Sequence, residues 1–90
     1  MSLKEHCIKI YELLAGVGEP GRAKSFKAFA DRLESSDDVA VYRDIISLYG
    51  GAGSFNDLVL YRDGKICMEE NNELDRLRTG LYNAIAQEWN

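Results

Sequence analysis

Leu48-Tyr49-Gly50-Gly51-Ala52-Gly53-Ser54-Phe55-Asn56-Asp57-Leu58 is the stretch on which the reading of this chain turns. Three glycines fall within four positions, followed by Ser54, Asn56 and Asp57. Apolar residues recur at helical spacing before it. After it the spacing becomes strand-like and then helical again. The stretch therefore predicts a joint between two halves of one small domain.

Upstream, Leu3, Cys7, Ile10, Tyr11 and Leu14 make one stripe of an amphipathic helix over residues 2–15. Ser2 is its N-cap, and Glu5 completes a capping box. Gly16 supplies the left-handed turn that ends it, and Pro20 cannot continue it. A second helix is expected over 20–34, with Phe26, Phe29, Ala30 and Leu33 inward. Ser36 or Asp37 can cap a third helix over 38–49. That helix carries apolar residues on more than one face and is expected to be the most buried element. Gly50 and Gly51 end it as Gly16 ends the first.

Downstream, Leu58–Arg62 and Lys65–Met68 are β-prone, and Asp63-Gly64 between them is a type I′ turn signal. A lone hairpin is marginal, so it must lean on the helices. Asn71 or Asn72 caps a fourth helix with Leu74, Leu77, Leu81, Ile85 and Trp89 in a stripe, joined by Tyr82. Gly80 marks a weak spot there or a close approach to another backbone. Trp89 reads as an anchor, in the core or in an interface. The expected fold class is mainly α (α+β): a four-helix domain with one small β-hairpin between helices three and four. Residues 1–90 form a single domain, as a chain of this length rarely divides into two cores.

From Gly50 onward the chain resembles a family of small uncharacterised bacterial proteins, a domain of unknown function. The resemblance rests on the Leu48–Leu58 run with its Gly-Gly-x-Gly-Ser-Phe-Asn-Asp-Leu core, on Glu70-Asn71-Asn72-Glu73-Leu74-Asp75, and on Leu77 and Tyr82. It covers about the C-terminal half and implies nothing about activity. Bacterial immunity proteins share this size and acidity, which is an analogy and not a motif.

Charge narrows the function classes. The net charge is −4. Residues 1–34 hold six Lys/Arg against five Asp/Glu, and residues 35–90 hold five against ten. An acidic surface disfavours nucleic acid and favours a protein partner with a basic surface. No apolar run approaches the ~20 residues of a membrane span, and the charged N-terminus differs from a secretory leader. A cytoplasmic location is expected. Cys7 and Cys67 sit in apolar patterns and read as buried reduced thiols. One histidine and no Cys-x-x-Cys pair leave a metal site without support, and no cofactor is implied.

At the joint, Gly50, Gly51, Gly53 and Ser54 read as a structural loop whose glycines meet close packing or positive φ. Its backbone could form an anion nest, but the order is helix then loop and no lysine follows until Lys65. Ser54 and Asp57 have capping-box spacing, and Asn56 suits an Asx-turn. Alternatively, Asn56 and Asp57 are offered to a partner. Of the acids around the fourth helix, Glu73 and Asp75 are explained by its dipole. Glu69 and Glu70 lie outside it and are candidates for a basic partner's surface. His6 reads as a solvated first-turn side chain. No nucleophile, base and oxyanion donors assemble, so the expectation is a non-enzymatic binding module of inhibitor or immunity type. The alternative is a homo-oligomeric structural protein, a homodimer for example.

Overall fold

The structure, a computed structural model, describes residues 1–35, 39–50 and 54–89. Four helices and one hairpin follow in order: α1 (Leu3–Gly16), α2 (Pro20–Ser35), α3 (Val39–Ile46), β1 (Tyr61–Arg62), β2 (Lys65–Ile66) and α4 (Met68–Trp89). Single 3₁₀ turns at Ser47–Tyr49 and Phe55–Asp57 stand on either side of the joint. The expected class holds, with the hairpin between α3 and α4.

The centre of the molecule is α1, which packs along α2 on one side and α4 on another. Cys7, Ile10 and Leu14 are fully enclosed there. This corrects the expectation for α3, which buries Val41, Tyr42 and Ile45 but leaves Val39 exposed. Its predicted span also shortens. The helix tightens into the 3₁₀ turn at Ser47, whose hydroxyl donates to the Asp44 carbonyl (2.7 Å), a local bond that competes with the helical ladder. The proposed caps Ser36 and Asp37 lie outside the described residues.

Helix α1 begins with the predicted capping box. Ser2 Oγ accepts from the Glu5 amide (3.1 Å), and Glu5 Oε1 accepts from the Ser2 amide (3.2 Å). Donation from the Ser2 backbone amide, and secondarily from the Ser2 side chain, holds the Glu5 carboxyl below its ordinary range. At its other end the left-handed residue is Gly18 (φ +80°), not Gly16. The Glu19 amide donates to the Leu14 carbonyl (2.9 Å) and the Gly18 amide to Ala15 (3.4 Å), a complete Schellman closure. Pro20 then occupies the first position of α2, where no amide hydrogen is needed.

His6 is enclosed rather than solvated, at 8% exposure. Its Nδ1 donates to the Ser2 carbonyl (2.8 Å), and its other nitrogen faces Gly80 of α4. A Cβ on Gly80 would lie 2.9 Å from His6 Nε2. The close approach read at Gly80 is therefore to an imidazole, not to a backbone. It lets α1 and α4 meet around a polar ring.

This predicts a sign reversal. Gly80→Ala should destabilise the native chain by about 1 kcal/mol, because steric conflict outweighs the helix propensity gained. In a His6→Ala background the same change should stabilise by about 0.5–1 kcal/mol. Urea unfolding of the four variants measures the coupling.

Candidate functional site

Residues 54–60 connect the helical front to the hairpin with only one 3₁₀ turn of regular structure. Their backbone groups are met by side chains of α4. Asn71 treats Leu60 as a neighbouring strand would. Its Oδ1 accepts from the Leu60 amide (2.8 Å), and its Nδ2 donates to the Leu60 carbonyl (3.0 Å) and to Cys67 (2.8 Å). Seven residues on, and so on the same helix face, Arg78 Nη1 donates to the carbonyls of Phe55 (3.2 Å) and Leu58 (3.0 Å). Asp75 steadies the guanidinium through Nε and Nη2 (3.3 and 3.1 Å). The Tyr49 hydroxyl donates to the Arg78 carbonyl (2.7 Å), and burial raises its pKa.

Aromatic contacts complete the clamp. Phe55, 1% exposed, lies 4.7 Å from Phe26 of α2 and 5.4 Å from Tyr49, centroid to centroid. Tyr49 in turn meets Tyr82 of α4 at 5.3 Å.

The predicted roles at the joint change accordingly. Gly50 is extended (φ −96°, ψ 145°) and nothing lies within 4 Å of an added Cβ, so neither backbone nor packing requires glycine there. Gly51 and Gly53 lie outside the described residues. Ser54 makes no capping bond; its hydroxyl reaches the Tyr49 carbonyl (3.4 Å), and the turn is closed by the Asp57 amide on the Ser54 carbonyl (3.0 Å). Helix α4 starts at Met68, so Asn71 is inside it and caps nothing. Glu69 and Glu70 therefore occupy the first turn, where the helix dipole favours acids. Glu73 and Asp75 lie beyond that turn and pair with Arg76 and Arg78.

The four candidate binding residues separate. Glu70 is half-buried and paired with Arg62 (3.4 Å). Asn56 lines a cleft of about 480 Å³ with Ile46, Tyr49, Thr79, Tyr82 and Asn83. Asp57 lines a shallow groove of about 350 Å³ with Arg22, Val59 and Tyr61. Glu69 is exposed immediately after Met68. Asp57 and Glu69 thus border the hairpin, while Asn56 serves another surface.

Sequence reading did not anticipate how the hairpin sits. Asp63 (φ 54°) and Gly64 (φ 76°) form the predicted I′-like turn, and Tyr61 pairs with Ile66, Arg62 with Lys65. All four strand residues are exposed, so the hairpin leans on the helices through single side chains and not through a buried strand face. The inner side is anchored by buried Leu60 and by Arg62, which reaches the Gly16 carbonyl (3.3 Å) as well as Glu70. The outer side carries Val59, Tyr61, Ile66 and Met68, from 43% to 66% exposed. Strand alternation would have placed these four together, but which face meets water was not readable from it. Trp89, read as an anchor, is 41% exposed and does not belong to the core.

Two thiols differ in environment. Cys7 is buried, Cys67 half-buried, and neither is bonded to the other. Desolvation pushes the Cys7 thiol up to about 12 from an ordinary 9.0. The unfolded chain loses that proton first, so the associated stability is complete below pH 9 and is lost as pH rises toward 12. Cys7→Ala should flatten the fall of the urea midpoint across that window. Arg78→Ala, which removes a charged donor from the Leu58 carbonyl and leaves Phe55 with the Leu58 amide, should cost about 2–3 kcal/mol. Asn71→Asp should cost about as much as Asn71→Ala, ~2 kcal/mol, because both lose the Nδ2 donor. Denaturant titration reads each value.

Among the described residues, no helix is long and apolar enough to cross a membrane. No curated protein and no solved structure matches the chain. One family model does match, over residues 15–68, from the end of α1 through α2, α3 and the joint to the hairpin and the first residue of α4. That span is more than half of the chain, and it leaves out most of α1 and the helix that supplies Asn71 and Arg78. The chain belongs to this family, the domain of unknown function DUF6966.

Proposed function

We propose that the protein is a non-enzymatic binding module of the bacterial cytoplasm that grips a basic protein partner with the outer face of its hairpin. The observation that carries this reading is the hairpin's inverted arrangement. A charged side chain, Arg62, ties its inner side down, while Val59, Tyr61, Ile66 and Met68 face solvent. A contiguous exposed apolar patch on a small chain is a contact surface. Asp57, Asp63 and Glu69 surround it and suit a partner whose apolar residues are ringed by Lys and Arg. Residues 54–75 hold six Asp/Glu against two Lys/Arg, so the local field has one sign. A non-catalytic role is supported by Cys7, whose buried thiol is not poised as a thiolate, and by His6, whose Nδ1 is engaged by the Ser2 carbonyl and whose Nε2 lies against Gly80. Reduced cysteines suit a cytoplasmic setting.

The face can be tested directly. A photo-crosslinking residue in place of Tyr61 should join a protein of basic isoelectric point, with a yield that falls as salt is added. The same residue in place of exposed Lys24 should not. Glu69→Lys should lower the yield about tenfold, the effect of one lost contact of ~1.4 kcal/mol. Tyr61→Ala should leave folding stability within about 0.5 kcal/mol of the parent. Equal capture from both positions, or capture indifferent to Glu69→Lys, would show that the hairpin is not the binding face.

A further inference from the structure

The outer surface of α4 changes character midway. Residues 68–78 hold six ionisable carboxylates and guanidinium groups, whereas residues 79–89 hold only Glu88. Leu81 and Ile85 of this second half point into the core. A second stripe, at the three- and four-residue steps of a heptad seam, runs through Thr79, Tyr82, Ala86 and Trp89, and all four are exposed. Tyr82 and Trp89 are 45% and 41% exposed, aromatic side chains in a stripe of uncharged residues. Charge depletion with aromatic enrichment marks the core of a protein interface.

We propose that this stripe pairs with its own copy in a two-fold symmetric dimer, each Trp89 entering the other copy's cleft beside Tyr82. Three observations favour a second copy as the occupant. The chain carries a net charge of −4, so repulsion between two copies is least where the contact itself adds no charge, as along this stripe. Among the described residues, the cleft of about 480 Å³ has no charged residue in its lining; Tyr49 and Tyr82 give it aromatic walls, and Asn56 and Asn83 bring amide oxygens that accept from an indole N–H. Finally, the register closes. Two antiparallel α4 helices crossing at Ala86 set Trp89 of each opposite Asn83 of the other, and the alanine at the crossing lets the backbones approach. The contact is reciprocal and ends with two copies. It involves no hairpin residue, so it stands apart from the binding face proposed above.

About two turns of helix from each copy (residues 83–89) make a small interface, so dissociation is expected in roughly the micromolar to submillimolar range. Trp89 is the only tryptophan, and its emission reports its own burial. Between about 1 µM and 1 mM of the full chain, the emission maximum should move to shorter wavelength in step with the rise in sedimentation coefficient. Tyr82→Glu places a carboxylate on each side of the contact and should weaken association at least about tenfold. If that variant does not fold, Ala86→Lys carries the same test at the crossing point. Tyr61→Ala should leave the transition where it was. A chain that stays monomeric across the range overturns the proposal. So does a dimer whose Trp89 emission does not shift, or one that persists in both charge variants. Crosslinking of Trp89 to a different protein, with no self-association, would also overturn it.

Discussion

The structure depends on α4 supplying hydrogen bonds to a connector, residues 54–60, whose own backbone bonds close only one 3₁₀ turn. Backbone groups drawn into a protein interior must find partners, and a segment without helix or ladder must borrow them. Here Arg78 takes the carbonyls of Phe55 and Leu58, and Asn71 takes both backbone groups of Leu60. That allows Phe55 to fill the space between Phe26 and Tyr49, and Leu60 to be fully enclosed. Without those donors the connector could not lie against the core, and the hairpin would lose its base.

The front half obeys simpler rules. Helix α1 joins α2 through a glycine-closed end, and its apolar stripe is complete within two heptads. What complicates it is His6, an enclosed polar ring beside Gly80. Glycine in a helix interior costs stability, and the close fit of two helices around the imidazole offsets that cost. Lys4–Glu34 and Arg32–Asp44 lie at the surface, where ion pairs contribute little.

The two surfaces proposed for contact differ in chemistry. The hairpin shows apolar side chains within a ring of acids, which suits a partner of opposite charge. The C-terminal half of α4 shows, along one stripe, apolar and amide groups with Glu88 as its single carboxylate, which suits a copy of itself. Both surfaces contain large exposed side chains that play no part in the core. A small domain loses solubility by carrying these unless something covers them.

Much of this was legible in the residues. The stripe Leu3, Cys7, Ile10, Leu14, the Ser2–Glu5 box, Pro20 at a helix start and the Asp63-Gly64 turn each rest on contacts within a few positions, so local spacing determines them. The tertiary structure alone decided the rest. An arginine and an asparagine on a helix read as solvent-facing until the carbonyls they serve, 20 and 11 residues away, are brought to them. His6 reads as exposed until Gly80 meets it. Alternation groups Val59, Tyr61 and Ile66 on one side, but the tether of Arg62 to Gly16 and Glu70 turns that side outward. Sequence spacing carries short-range geometry; the choice of which polar groups are buried depends on partners that folding alone makes neighbours.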